Sequence, residues 1–160
     1  MTTRAQLVSE AESWIGTKYE MNQGCKGAGT DCGRFIFQSL KNCGLVPAST
    51  ASNIIETFGH DWSCHTDDDK YQGYIFRMLR HARKIAVGIG YPTLHALPGT
   101  IALTRTYQAR VMDHGGIVVR WPQIIHAVPP KVERADASQH WLWSGKIIEV
   151  YDPFGEGDAT

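Results

Sequence analysis

The chain has 160 residues, 42% hydrophobic and 20% charged, which suits one globular domain able to bury a core without disulfide or metal support. Sixteen basic and sixteen acidic residues cancel, which excludes an overall field favouring nucleic acid or an anionic membrane. The opening M-T-T-R-A-Q-L-V-S-E lacks the apolar segment of a secretory signal and nothing approaches a membrane span, so the chain is expected to be cytoplasmic as synthesised, without membrane insertion.

The first predicted element is a helix. Thr3 followed by Gln6 has the pattern of a capping box. Leu7, Val8, Ala11, Trp14 and Ile15 recur at helical period, and Gly16 supplies the stop. The stretch T-K-Y-E-M-N-Q-G-C-K-G-A-G-T is too glycine-rich for regular structure. Asp31 is a good N-cap for a second helix from Cys32 to about Cys43, closed by Gly44. Cys32, Ile36, Leu40 and Cys43 share one face of it, and Arg34, Gln38 and Lys41 point elsewhere. V-P-A-S-T-A-S-N-I-I-E-T-F-G-H-D-W-S-C-H-T-D-D-D is turn-rich and holds at most a short helix. D-D-D-K-Y-Q-G-Y-I-F-R-M-L-R-H-A-R-K-I-A-V reads as a third helix, acidic in its first turn and basic in its last, with R-H-A-R-K as a solvated face. After Pro92 and Pro98 the period becomes that of strands, in T-I-A-L-T-R-T, G-G-I-V-V-R-W, Q-I-I-H-A-V and K-I-I-E-V-Y-D. The last residues, P-F-G-E-G-D-A-T, read as a frayed tail. Helices first and strands later predict an α+β domain with an antiparallel sheet.

Cys25, Cys32, Cys43 and Cys64 are irregularly spaced and read as free thiols. Cys32 stands apart because it opens a helix. Unpaired N–H groups and the positive dipole end stabilise a thiolate there, and the same groups can hold an oxyanion. A cysteine in that place is also compatible with a small core residue or a metal ligand. A nucleophile needs a base, and the base an orienting group. His114 opens H-G-G-I-V-V-R-W and His126 lies in the apolar I-I-H-A-V. Taken singly, His114 fits a solvated turn and His126 a satisfied core position. In an antiparallel hairpin the two share a face only if the loop between their strands has an odd number of residues, centred near Arg120. That is the expectation; a two-residue turn at Trp121 and Pro122 would put the rings on opposite faces. His60, His65, His81, His95 and His140 have no comparable arrangement and read as surface or loop residues.

These residues carry a family resemblance. A-E-S-W-I-G-T-K-Y-E-M-N-Q and G-A-G-T-D-C-G-R-F-I-F-Q-S-L-K-N-C-G-L resemble the G-x-P-Y loop and D-C-S-G-L helix of NlpC-type cell-wall cysteine peptidases. H-A-L-P-G-T-I-A-L, D-H-G-G-I-V-V and I-I-H-A are similar to that family's P-G-D strand, H-x-G-I strand and third polar residue. The resemblance spans the chain as a single papain-like domain, apart from an insertion at about 46–95. It implies Cys32 as nucleophile, His114 as base and then acid, and His126 as the orienting third member. It also implies Tyr19 beside the oxyanion and Asp31 at the substrate's amino end. The substrate class implied is the peptidoglycan stem peptide, and no cofactor is implied. The K-G-A-G-T-D-C approach and the insertion look most like members encoded with phage and prophage tail genes, which implies tail proteins as partners and a virion-associated location. Lys18, Gly33, Arg34 and Thr100 depart from the family pattern. Gly33 and Arg34 alter the wall beside the cysteine. Arg34 reads either as a substrate-carboxylate contact or as a surface residue.

Three rival readings stand beside this one. His60, Cys64 and His65, with Cys25 or Cys43, form a loose cluster that lacks paired zinc spacing. A peptidase-like fold can serve as a non-catalytic module in tail assembly or wall binding. The same triad can also run acyl transfer, because fold does not choose the reaction.

Overall fold

The computed structural model describes residues 1–46, 62–65 and 83–154. In chain order these form α1 (Arg4–Glu12), β1 (Gly24–Cys25), β2 (Gly29–Thr30), α2 (Cys32–Asn42) and a 3-10 turn (Trp62–Cys64). There follow β3 (Arg83–Ile89), β4 (Ile101–Thr104), β5 (His114–Arg120), β6 (Gln123–Val128), β7 (Lys131–Asp136) and β8 (Ile147–Asp152). The six longer strands form one antiparallel sheet in the order β3-β8-β4-β5-β6-β7, and β1 and β2 make a small ribbon before α2.

Both helices start where local chemistry dictates. Thr3 and Gln6 close the capping box of α1. The Asp31 carboxylate caps α2 by accepting the Arg34 N–H at 2.8 Å. From α1 and the turn after it, Leu7, Ala11 and Trp14 are buried, whereas Ile15 is 45% exposed and leaves the expected stripe. The apolar face of α2 is continuous, and Phe35, Ile36 and Leu40 pack with Leu7, Trp14, Ile101, Ile117 and Ile125 between helices and sheet. The opposite face of the sheet is covered by loops, where Leu94, Leu142 and Trp143 pack over Ala102, Val118, Ile124 and Ile148. The architecture is two helices packed on an antiparallel β-sheet.

Three expectations are corrected. Residues 83–87, the end of the predicted third helix, belong to strand β3, paired with β8 at the sheet edge; the earlier part of that prediction lies outside the described residues. Ile85, Val87 and Ile89 alternate at period two on the exposed side, and β8 pairs the strand from Arg83 to Ile89 with a register shift at Ile85. Strand β7 was not foreseen, because K-V-E-R-A-D offers only Val132 and Ala135 to the core. Arg34, read as pointing away from the apolar face or as a surface residue, is buried and paired with Asp31 at 2.8 Å.

The odd-numbered loop expected around Arg120 is also corrected, although the two histidines still share a face. The tip of the β5–β6 hairpin is the two-residue connection Trp121–Pro122, between the paired Arg120 and Gln123. A register shift between Val118 and Arg120 leaves Val119 as an extra residue, and below it Gly116 pairs with His126. The bulge reverses the parity that the short turn would have imposed, and so His114, Gly116 and His126 lie on one face.

Candidate active site

Cys32 is the first residue of α2, half-buried, at the wall of a cleft of about 400 Å³ also lined by Tyr19, Asp31, Asp113, His114 and Trp141. Its Sγ lies 3.6 Å from the Asp113 carbonyl oxygen, which brings the sulfur beside the start of β5. The amides of Gly33 and Gly115 point to the sulfur and favour its thiolate, but burial and the nearby Asp31 and Asp113 carboxylates outweigh them and hold the thiol above its ordinary range. Cys32 rests as a thiol.

His114 Nε2 lies 2.8 Å from His126 Nδ1, with both rings buried. Trp143 also reaches the His126 Nδ1, its Nε1 lying 3.2 Å away. An indole N–H can only donate, so His126 Nδ1 is an acceptor and its ring carries the proton on Nε2. His114 must then donate its own Nε2–H to His126, which leaves His114 Nδ1 bare and able to accept a proton. Burial lowers the imidazole of His114 to about 3, with a smaller contribution from His140. Burial, then His114 and His140, lowers that of His126 to about 2. Both rings are neutral at rest.

The two glycines after His114 set this geometry. A Cβ at Gly115 would stand 2.7 Å from Ile36 Cδ1 and Leu103 Cδ2, so their absence of side chain lets α2 press against β5. A Cβ at Gly116 would stand 2.9 Å from the Ile125 carbonyl oxygen and 3.2 Å from His126 Cβ.

Tyr19 lines the cleft with its hydroxyl 3.8 Å from Met21 Sδ. Burial, followed by the charges at Cys32, Asp31 and Asp113, pushes the phenol up, so it remains an O–H donor. Asp31 is buried and heavily engaged: it accepts the Asn22 N–H at 2.8 Å, the Arg34 N–H and the Arg34 guanidinium. Asp113 accepts from Ser63 Oγ at 2.8 Å and from the Thr106 amide at 2.7 Å, which ties the 3-10 turn and the strap after β4 to the loop entering β5. Cys43, at the far end of α2, is also raised by burial.

The structure thus brings Cys32, His114, His126, Tyr19 and Asp31 to one region. Of the loose zinc cluster, Cys64 and His65 lie in the described 62–65 segment and His60 lies outside the described residues. Three residues around the histidine pair escaped the sequence reading: Trp143, Glu133 and His140. Glu133 faces His126 across the β6–β7 ladder, and His140, read as a surface or loop residue, packs its ring at 4.8 Å from that of His126. Only a known β7 register and the path of the 137–146 loop reveal them. The Asp31–Arg34 pair had a legible signal, opposite charges three apart on a helix.

No family model matches the sequence, and no curated protein matches it. Solved structures do. The NlpC/p60 domain of the peptidoglycan hydrolase SagA aligns with a TM-score of 0.56 at 19% identity, covering 92% of this chain and 97% of that one. NlpC1 from Trichomonas vaginalis aligns at 0.55 and 19% identity, and NlpC2 from the same organism at 0.56 and 18%. This chain spans 42% and 46% of those two proteins' lengths. The fold is therefore of the papain-like class, helices packed on an antiparallel sheet with a cysteine at a helix N-terminus facing a histidine strand. Within that class it has the arrangement of NlpC/p60 domains.

Proposed function

We propose that the chain is a cysteine hydrolase that cleaves amide bonds in peptidoglycan stem peptides, with Cys32 as nucleophile, His114 as general base and acid, and His126 as its orienting partner. The observation that carries this reading is the 2.8 Å His114–His126 contact with its defined tautomers, in a cleft shared with Cys32. The thiol gives its proton to His114 Nδ1 as the sulfur attacks the carbonyl carbon. First-turn amides of α2 and the Tyr19 O–H stabilise the oxyanion. His114 then protonates the leaving amine, and in the second half-reaction takes a proton from the water that opens the thioester.

The NlpC/p60 fold, and the peptidoglycan hydrolase among the proteins sharing it, support peptidoglycan as the substrate class. Asp31 lines the cleft with its carboxylate paired to Arg34, and the sequence resemblance gives it the substrate's amino end as partner. Assembly into a phage tail would deliver such an enzyme to the cell wall, a role that rests on the sequence resemblance alone. The test is incubation of wild type and Cys32→Ala with peptidoglycan fragments, followed by mass spectrometry of the products. New amine and carboxylate ends from wild type only are expected. Identical product profiles would remove Cys32 from the reaction.

A further inference from the structure

Behind the histidine pair lies a second layer of polar groups. Glu133 Oε1 is 3.4 Å from His126 Nε2 and 3.4 Å from His140 Nε2. The His126 Nε2 is fully buried and has no hydrogen-bond partner among the described residues, so the Glu133 carboxylate meets it at ion-pair distance only. Ligand atoms of His126, Glu133 and His140 lie within 4.8 Å of one another, which invites a metal reading. The far side of each ring argues otherwise. A neutral histidine that ligates through Nε2 must carry its proton on Nδ1 and donate it. Here His126 Nδ1 accepts from Trp143 Nε1 at 3.2 Å, and His140 Nδ1 accepts from the Leu142 amide at 3.3 Å. Both protons are thereby assigned to Nε2, on the side of the Glu133 carboxylate. Two N–H groups converge on one anion.

We propose that Glu133 is a positioning residue for the reaction at Cys32, acting through His126. This rests on the reading of His114 as the base. When the thiol proton moves to His114 Nδ1, that ring becomes an imidazolium whose Nε2–H is donated to His126 Nδ1. The His126 Nε2–H faces the Glu133 carboxylate at ion-pair distance, 3.4 Å, so the new positive charge feels a carboxylate across one intervening ring. Trp143 and His140 hold the orientation: Trp143 keeps His126 Nδ1 an acceptor, and His140 shares the carboxylate and closes over the His126 ring at 4.8 Å. The titratable or charged groups facing His126 among the described residues are His114 from β5, Glu133 from β7 and His140 from the following loop. Asp31, Asp113 and Cys32 lie beyond, at the sulfur.

The test needs no known substrate. Alkylation of Cys32 by iodoacetamide is measured from pH 5 to 9 in wild type, Glu133→Gln, Glu133→Asp and His114→Ala, with Cys25, Cys43 and Cys64 replaced by alanine in all four. Removing a charge that stabilises the imidazolium shifts its proton affinity by about one unit, so Glu133→Gln is expected to alkylate about tenfold more slowly at neutral pH. Glu133→Asp should recover part of the rate. A carboxylate that merely repels the thiolate predicts the opposite sign, and an equal or faster rate in Glu133→Gln overturns the proposal. If His114→Ala also leaves the rate unchanged, the base assignment falls with it; if His114→Ala is slow, only the role of Glu133 falls. Nitrogen-15 NMR of histidine-labelled wild type gives a check independent of any variant's folding. Nε2–H on both His126 and His140 is expected, and Nδ1–H on either ring refutes the arrangement.

Discussion

Replacing Gly116 with alanine tests the part of the site that the hairpin builds. The new Cβ would lie 2.9 Å from the Ile125 carbonyl oxygen, 3.2 Å from His126 Cβ and 3.5 Å from Trp143 Cζ2. The first obstacle is the backbone of a paired strand, which has no rotamer through which to escape. Relief requires β6 to move away from β5 by about 0.5 Å, given ordinary carbon contacts of about 3.5 Å. The His114–His126 contact, 2.8 Å across the same strands, lengthens with it. Overpacking of this kind costs about 1–3 kcal/mol of stability. A misplacement of about 1 Å at a reacting centre costs about a hundredfold in rate, so a shift half that size predicts a loss of about tenfold. The assays are urea denaturation for the first figure and Cys32 alkylation at neutral pH for the second. Wild-type stability together with a wild-type rate would show that the β5–β6 spacing does not govern the histidine pair.

Two further outcomes follow from the buried charges. His114 and His126 are held near 3 and 2 in the folded chain but take protons at the ordinary 6.5 when unfolded. The unfolded state therefore binds more protons below 6.5, and stability falls as the pH drops from there towards the folded values, by about 1.4 kcal/mol per unit for each ring. Urea midpoints should decline between pH 7 and 5, more steeply than in a His114→Gln/His126→Asn double variant; parallel curves would contradict the burial argument. Arg34→Met removes the cation that neutralises Asp31 at 2.8 Å, beside a thiol that the Asp31 charge already raises. It should cost about 2–3 kcal/mol of stability and move Cys32 alkylation to higher pH, and an unchanged alkylation profile would refute the electrostatic link.

Much of the framework was legible before any coordinates. Thr3 with Gln6 and Asp31 before C-G-R-F mark helix starts through donors that lie within three residues, so a local reading suffices. The strands at 101–104, 114–120, 123–128 and 147–152 likewise read locally, as short apolar runs rich in Ile and Val. Residues 83–87 misled because a short apolar run beside charges fits either period, and pairing with β8, some sixty residues away, decides between them. Arg34 misled because helical spacing gives the direction of a side chain, whereas its burial depends on the loop carrying Asn22 folding over it.

By itself the sequence determined the order of the parts: a cysteine at a helix start, a histidine opening a strand after it, and a polar residue on the next strand. Whether His114 and His126 meet was a different matter. A two-residue turn would have parted them, and the extra residue at Val119 brought them back to one face. The surroundings of that pair, Trp143 on one nitrogen and Glu133 and His140 on the other side, come from a cross-strand register and a folded loop. Such contacts join residues distant in the chain, and no local pattern encodes them. Tertiary structure alone decides which nitrogen of each ring holds its proton, and with it the direction in which a proton can move.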